Sequence, residues 1–166
     1  VYAFTAVKGR AEGETIHAEW NRERAGDYAV HLSGRLHAGY TLPAHLYIEA
    51  LSLRGPILRR FCAEAFGTDR LLVATPTLRV KVPTLAETDV DADPAANWAR
   101  FMFASINTRP FNYLGLPVVS VPCGFDSRGL PVGLQIAGRP FAEATVLRAA
   151  DAFQRDTDWH RRSPAA

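Results

Sequence analysis

Thr108-Arg109-Pro110-Phe111-Asn112-Tyr113-Leu114-Gly115-Leu116-Pro117 runs into Val118-Val119-Ser120-Val121-Pro122-Cys123-Gly124-Phe125. Past Asp126-Ser127-Arg128 the chain continues as Gly129-Leu130-Pro131-Val132-Gly133-Leu134-Gln135-Ile136. Pro117 and Pro122 bracket the apolar run Val118–Val121, which reads as a strand. A proline cannot donate to a ladder, so this strand belongs at a sheet edge or ends at its prolines. Gly124 to Gly129 reads as a turn. Leu130 to Ala137 reads as a second strand, and the two pair as a hairpin. Asn112, beside Pro110-Phe111, suits a turn fixed by its own side chain. Gly138-Arg139-Pro140 then punctuates. A helix follows from Phe141 to Asp156 with Ala144, Leu147, Ala150, Ala152 and Phe153 facing inward.

Upstream, Asp93-Pro94 is a helix start, with Asp93 as cap and Pro94 in the first turn. Trp98, Phe101, Met102, Ser105 and Ile106 share one face of that helix. It must stop before Arg109-Pro110, because a residue preceding proline is pushed out of helical geometry. Leu78 to Asp93 is rich in Pro, Thr and acids and reads as an irregular loop. Arg70 to Ala74 is a short apolar run expected as a buried strand, stopped by Thr75-Pro76-Thr77. Leu46, Ala50, Leu53, Ile57, Phe61 and Ala65 recur at helical spacing after Pro43. Gly55-Pro56 inside this run predicts a kink or two helices in series. A short helix is expected from Tyr28 to Ala38. Another runs from Ala11 with Ile16, Trp20 and Arg24 aligned, ended by Gly26-Asp27. Val1 to Val7 is β-prone and reads as a short strand.

The chain has 166 residues, 48% of them hydrophobic and 22% charged, with a net charge of +2. That length suits one domain over 1–166, burying roughly 70% of the surface its unfolded form exposes. The small net charge gives no field to draw nucleic acid or an anionic membrane. No apolar run reaches the length of a membrane span. Lysine occurs only at Lys8 and Lys81, so arginine supplies the other basic residues. Two distant cysteines, Cys62 and Cys123, match neither a disulfide framework nor a zinc site. A reduced, cytoplasmic setting is therefore expected, with no metal and no cofactor. Val1 to Val7 is followed by charge rather than a cleavage site, so no signal peptide is read there. A start on Val rather than Met is expected of a piece of a longer protein. Residues 161–166 are expected to be a frayed tail.

The ordered series from Thr108 to His160 resembles the C-terminal part of amidase-signature enzymes. Members typically read T-x-P-F-N-x-x-G-L-P, then S-V-P-x-G, then G-L-P-x-G-L-Q-x-x-G-x-x-F, and close on T-x-W-H. Here the close is Thr157-Asp158-Trp159-His160. Leu71 to Thr77 is similar to the family's strand ending in T-P-T, so the resemblance extends over nearly the whole chain. It implies an α/β fold, a mixed sheet with helices packed on it. It also implies amide-bond hydrolysis through an acyl-enzyme on a serine, with a second serine and a lysine base. Those groups come from a Gly/Ser-rich region absent from this sequence, so no catalytic residue is expected in it. The implied partners are the N-terminal part of the amidase domain and a small-molecule amide substrate. The family also includes the amidotransferase component that works on misacylated transfer RNA, which leaves open a non-catalytic binding or assembly role. Thr75, Thr77, Phe111 and Asn112 resemble positions that approach the family's substrate pocket.

The sequence offers no replacement nucleophile. Ser120 lies in a predicted strand between valines and is no G-x-S-x-G elbow. Cys123, between Pro122 and Gly124, reads as an inert thiol. His17, His31, His37 and His45 are too far apart in sequence for a close metal pair, and His160 reads as part of the terminal anchor. A sheet cut from partner strands exposes edges and apolar faces, so self-association is expected.

Overall fold

The computed structural model describes residues 1–90 and 92–163. Six α-helices and three strands are formed among them: α1 (Tyr2–Glu23), α2 (Val30–His37), α3 (Ala44–Phe61), β1 (Leu72–Pro76), α4 (Pro94–Ala104), α5 (Arg109–Leu114), β2 (Val118–Phe125), β3 (Pro131–Gly138) and α6 (Glu143–Asp156). The strands make one antiparallel sheet in the order β1-β3-β2. The expectation of a sheet with helices packed on it holds, and all pairing among the described residues is antiparallel.

Side chains alternate across a strand, so the sheet has two distinct faces. One carries Leu72, Val119, Val121, Leu134 and Ile136, and α6 covers it through Ala150 and Phe153. The other carries Ala137 and Val118 at one end, packed under Phe111, Leu114 and Leu116 and reached by Ile57 and Phe61 of α3. The buried Tyr113 hydroxyl donates to the Ala50 carbonyl at 2.5 Å, which ties α5 to α3. Burial raises the Tyr113 phenol above its ordinary pKa, which keeps the donor proton in place.

Val1–Val7 is not a strand. It is the first turns of α1. Phe4 stacks on Tyr113 with centroids 6.0 Å apart, and Lys8 pairs with Glu12 one turn on at 2.6 Å. Core packing and an i,i+4 pair outweigh the β preference of a few residues. The Ile16–Trp20 stripe faces solvent, while Glu14 and Asn21 take the buried side of α1. α3 runs through Pro56 without a break, so two helices in series do not form. β1 lies two residues later than expected and includes Thr75 and Pro76. Arg70 is held back by its N–H bond to the Phe66 carbonyl at 3.0 Å. Pro76 is tolerated because β1 is an edge strand.

β2 likewise does not stop at Pro122. Its register jumps from Pro122↔Gly133 to Gly124↔Val132, so the strand bulges around Cys123 and pairs as far as Phe125. A bulge of this kind fits the edge position. The Asp93 side chain caps α4 by accepting from the Ala96 N–H at 2.9 Å. On α6, Ala150 and Phe153 face inward as expected, whereas Ala144, Leu147 and Ala152 are exposed and Val146 is buried in their place. Arg161 and Arg162 are not frayed: Arg161 closes a 3-10 turn, and Arg162 pairs with Asp158 at 2.7 Å and lies over the Trp159 ring. Trp159 packs edge-on against Phe125 of the hairpin. Residues 164–166 of the expected tail lie outside the described residues.

Glu14 is only 5% exposed, and neither carboxylate oxygen has a hydrogen bond of acceptable geometry. Its polar neighbour is Tyr40, whose phenol pKa is raised first by this side-chain contact, then by burial. A buried polar group without a good partner costs about 1–3 kcal/mol. Glu14→Leu is therefore expected to stabilise the chain by about that amount, read as a higher denaturant midpoint at unchanged slope.

Candidate functional site

The polar end of the second sheet face holds a connected group of side chains. Thr75 of β1, Gln135 of β3 and Ser120 of β2 lie level with each other in the ladder. Gln135 is 3% exposed on the central strand. Its Nε2 donates to Thr75 Oγ1 at 3.0 Å and to the Asn107 carbonyl at 3.3 Å. Asn107 returns the contact by donating from Nδ2 to the Pro76 carbonyl at 2.8 Å. One step along, Thr77 and Ser120 share a hydroxyl hydrogen bond of 2.6 Å across Gly133. A Cβ at Gly133 would sit 2.8 Å from Thr77 Oγ1 and 3.1 Å from Ser120 Oγ, so only glycine lets the two hydroxyls meet.

Thr75 and Thr77 thus belong to one polar row. Phe111 and Asn112 do not join it. The Phe111 ring is buried edge-on against Phe61, with centroids 5.9 Å apart. Asn112 is exposed on α5. The chain reversal after it is closed not by its side chain but by Gly115, at φ 69°, whose N–H bonds the Phe111 carbonyl at 2.8 Å. Helix α5 was missed from sequence, although Pro110 in its first turn and Gly115 past its end are its start and stop signals.

Asn112 instead borders a cleft of about 340 Å³ between α1, α2, α4 and α5. Arg10, Arg35 and Arg109 line it with Ser105 and Thr108, and no acidic residue does. Arg35 lies over the Phe101 ring at 4.4 Å and the Trp98 ring at 5.1 Å. Burial, and then the like charge of Arg35, lower the pKa of Arg109. None of these arginines was singled out from the sequence.

Nothing here activates a nucleophile. The Ser120 hydroxyl meets Thr77, which cannot act as a base. Burial pushes the Cys123 thiol above its ordinary pKa, away from thiolate. Cys62 and Cys123 are both free thiols. His17 bonds Tyr28 and packs against Trp20 and Tyr28, a structural role. Among the described residues no three His, Cys, Asp or Glu side chains are grouped to hold a metal. No described helix is long and apolar enough to cross a membrane.

A helix-flanked antiparallel hairpin carrying this motif series defines an amidase-type segment. The Amidase family profile matches residues 5–147, and the chain belongs to that family. It is 40% identical over 160 residues to the A-subunit of the glutamyl-tRNA(Gln) amidotransferase of Methanosarcina acetivorans, covering 93% of this chain and 32% of that protein. Against the corresponding protein from Chloroflexus aggregans it is 40% identical over 161 residues, covering 93% and 31%. The chain therefore spans about a third of the length of these relatives. Among solved structures, a crystal structure of an amidase superposes with a TM-score of 0.72 at 22% identity, over 89% of this chain and 33% of that one. A 6-aminohexanoate cyclic dimer hydrolase gives 0.64 at 23%, over 84% and 30%. At these identities the structures establish the fold alone.

Gln135→Leu keeps the bulk and removes the donor, leaving Thr75 Oγ1 and the Asn107 carbonyl without this bond. The expected loss is about 1–3 kcal/mol by denaturant unfolding. Amide exchange should speed up at Thr77 and around Asn107. Unchanged exchange there would mean that the bridge holds neither segment.

Proposed function

We propose that this chain is the C-terminal segment of an enzyme that hydrolyses carbon–nitrogen amide bonds, with the acyl-enzyme machinery of two serines and a lysine lying outside it. The observation that carries the reading is the family match over residues 5–147 in a chain covering only a third of its relatives. In this reading Thr75, Thr77, Phe111 and Asn112 contribute to the wall of the substrate pocket, Phe111 by setting the position of α5. The N-terminal part of the domain is the partner, a small amide is the substrate, and the setting is cytoplasmic.

The surface supports this reading. Ile16, Trp20, Leu85, Phe141 and Leu147 are exposed apolar side chains. Among the described residues β2 pairs only with β3, so its outer edge is free to accept a strand. Left alone, such an edge favours self-association.

The test is reconstitution. The chain alone should turn over no simple aryl amide and should run as associated species in sedimentation. Supplied with an amidase N-terminal segment bearing the Gly/Ser-rich region, it should hydrolyse the amide, and Ser120→Ala and Cys123→Ala should leave the rate within about twofold. Amidase activity of the chain alone, abolished by Ser120→Ala, would overturn the proposal.

A further inference from the structure

The geometry points to the groove between α1 and the turn joining α2 to α3 as a binding site for a small organic amine, with the buried Glu14 carboxylate receiving its ammonium group and Ile16, Leu42, Tyr40 and Tyr47 receiving its apolar body. The groove has a volume near 680 Å³, which is the size of a small-molecule site. Its walls are mainly apolar. Its charged residues are Glu12 and Glu14, and no basic side chain lines it among the described residues. Glu12 is already engaged, accepting from the Lys8 ammonium at 2.6 Å and from the Tyr47 hydroxyl at 3.3 Å. Glu14 is not. It is 5% exposed, and neither of its oxygens has a hydrogen bond of acceptable geometry. A carboxylate is an acceptor only, so a buried one is uncompensated until donors reach it.

The backbone is shaped to bury this group. A Cβ at Gly39 would sit 2.6 Å from both the Arg10 carbonyl oxygen and the Glu14 Cβ. Only glycine lets the turn after α2 close on α1 at this point. The side chain facing the carboxylate is Tyr40, which is 54% exposed. A side chain that exposed changes rotamer freely, so an entering ammonium can take the place of the phenol hydroxyl over Glu14. Arg22, the basic residue that acts on Tyr40, lines no part of the groove. The chemistry of the ligand follows from these neighbours. A primary ammonium brings a positive charge and three N–H donors, and its bonds to a carboxylate are of the strong, charge-assisted kind. A quaternary ammonium has no N–H to give. A metal ion needs several ligands, and no three His, Cys, Asp or Glu side chains are grouped to hold one among the described residues. The apolar walls call for a hydrocarbon body on the amine, and the Tyr40 and Tyr47 rings suit an aromatic one. Nothing in this assignment depends on amide hydrolysis, because every residue it uses belongs to this chain.

The complete protein bearing this chain is titrated by calorimetry, near neutral pH, with phenethylamine, with phenethyl alcohol as the neutral analogue, and with phenethyltrimethylammonium as the cation without N–H donors. Phenethylamine is expected to bind at least about tenfold more tightly than either of the others. Glu14→Gln should remove about tenfold or more of that affinity, since it takes away the buried charge and keeps the shape. Its denaturant midpoint should be no lower than that of the parent chain, which separates lost binding from lost fold. Tyr40→Phe keeps the ring and removes the competing hydroxyl, so phenethylamine should bind it as tightly or more tightly. No binding of phenethylamine to the parent protein, equal affinity for the alcohol or the quaternary ion, or affinity unchanged in Glu14→Gln would each overturn the assignment. So would loss of binding in Tyr40→Phe, because the phenol would then be the group that holds the ligand.

Discussion

The polar half of this fold hangs on the side-chain amide of Gln135. It sits on the central strand, almost wholly buried, and its two N–H groups are shared between the Thr75 hydroxyl and the Asn107 carbonyl. A buried amide is costly unless its donors are used, so the position of each partner is coupled to the other. Asn107 closes the loop by bonding back to Pro76. An edge strand and the segment between α4 and α5 are thereby clamped to one point on β3. Because α5 begins two residues after Asn107, the same clamp sets where Thr108 and Arg109 enter the cleft on the far side of that segment.

The sheet shows how burial and polarity are divided. Where Val118 and Ala137 lie, α3 and α5 cover the face and exclude water. Beyond that cover the residues become Thr75, Thr77, Ser120 and Gln135, bonded to each other across the strands. The opposite face is apolar along its length and carries α6. The outer surface of α1 is less settled. Ile16 and Trp20 face solvent while Glu14 and Asn21 are buried without good partners.

What could be read from sequence was local. The β2–β3 hairpin, the Asp93 cap and the stripe of α3 follow from turn residues, one side-chain bond and a 3.6-residue period, none of which needs a distant partner. The misread parts depend on one. Val1–Val7 is helical because Phe4 finds Tyr113, over a hundred residues later. β2 continues past Pro122 because an edge strand can bulge, and nothing near Pro122 announces that it is an edge. The inward side of α6 was legible only at Ala150 and Phe153, because alanines dominate the helix and give a shallow pattern. Of the candidate site, the Thr75–Thr77 row was legible as a motif. The arginine cleft was not, since Arg10, Arg35 and Arg109 come from three separated helices and meet only through their packing.

The candidate nucleophiles also show what kind of contribution this chain makes. A serine needs a base within hydrogen-bond reach, and Ser120 is given a threonine. A cysteine needs a lowered pKa, and burial raises that of Cys123. Both residues are instead set in the sheet, Ser120 as half of a hydroxyl pair and Cys123 at the bulge that lets β2 turn past Pro122. By contrast, Arg109 has no carboxylate partner among the described residues, and Arg35 lies over the Phe101 ring. Binding energy applied away from the reacting centre orients a substrate without doing chemistry on it. On the reading proposed above, the division between chain segments is then also a division of labour. In that reading the N-terminal part would supply the bond-breaking groups, and this part a wall against which the amide is held.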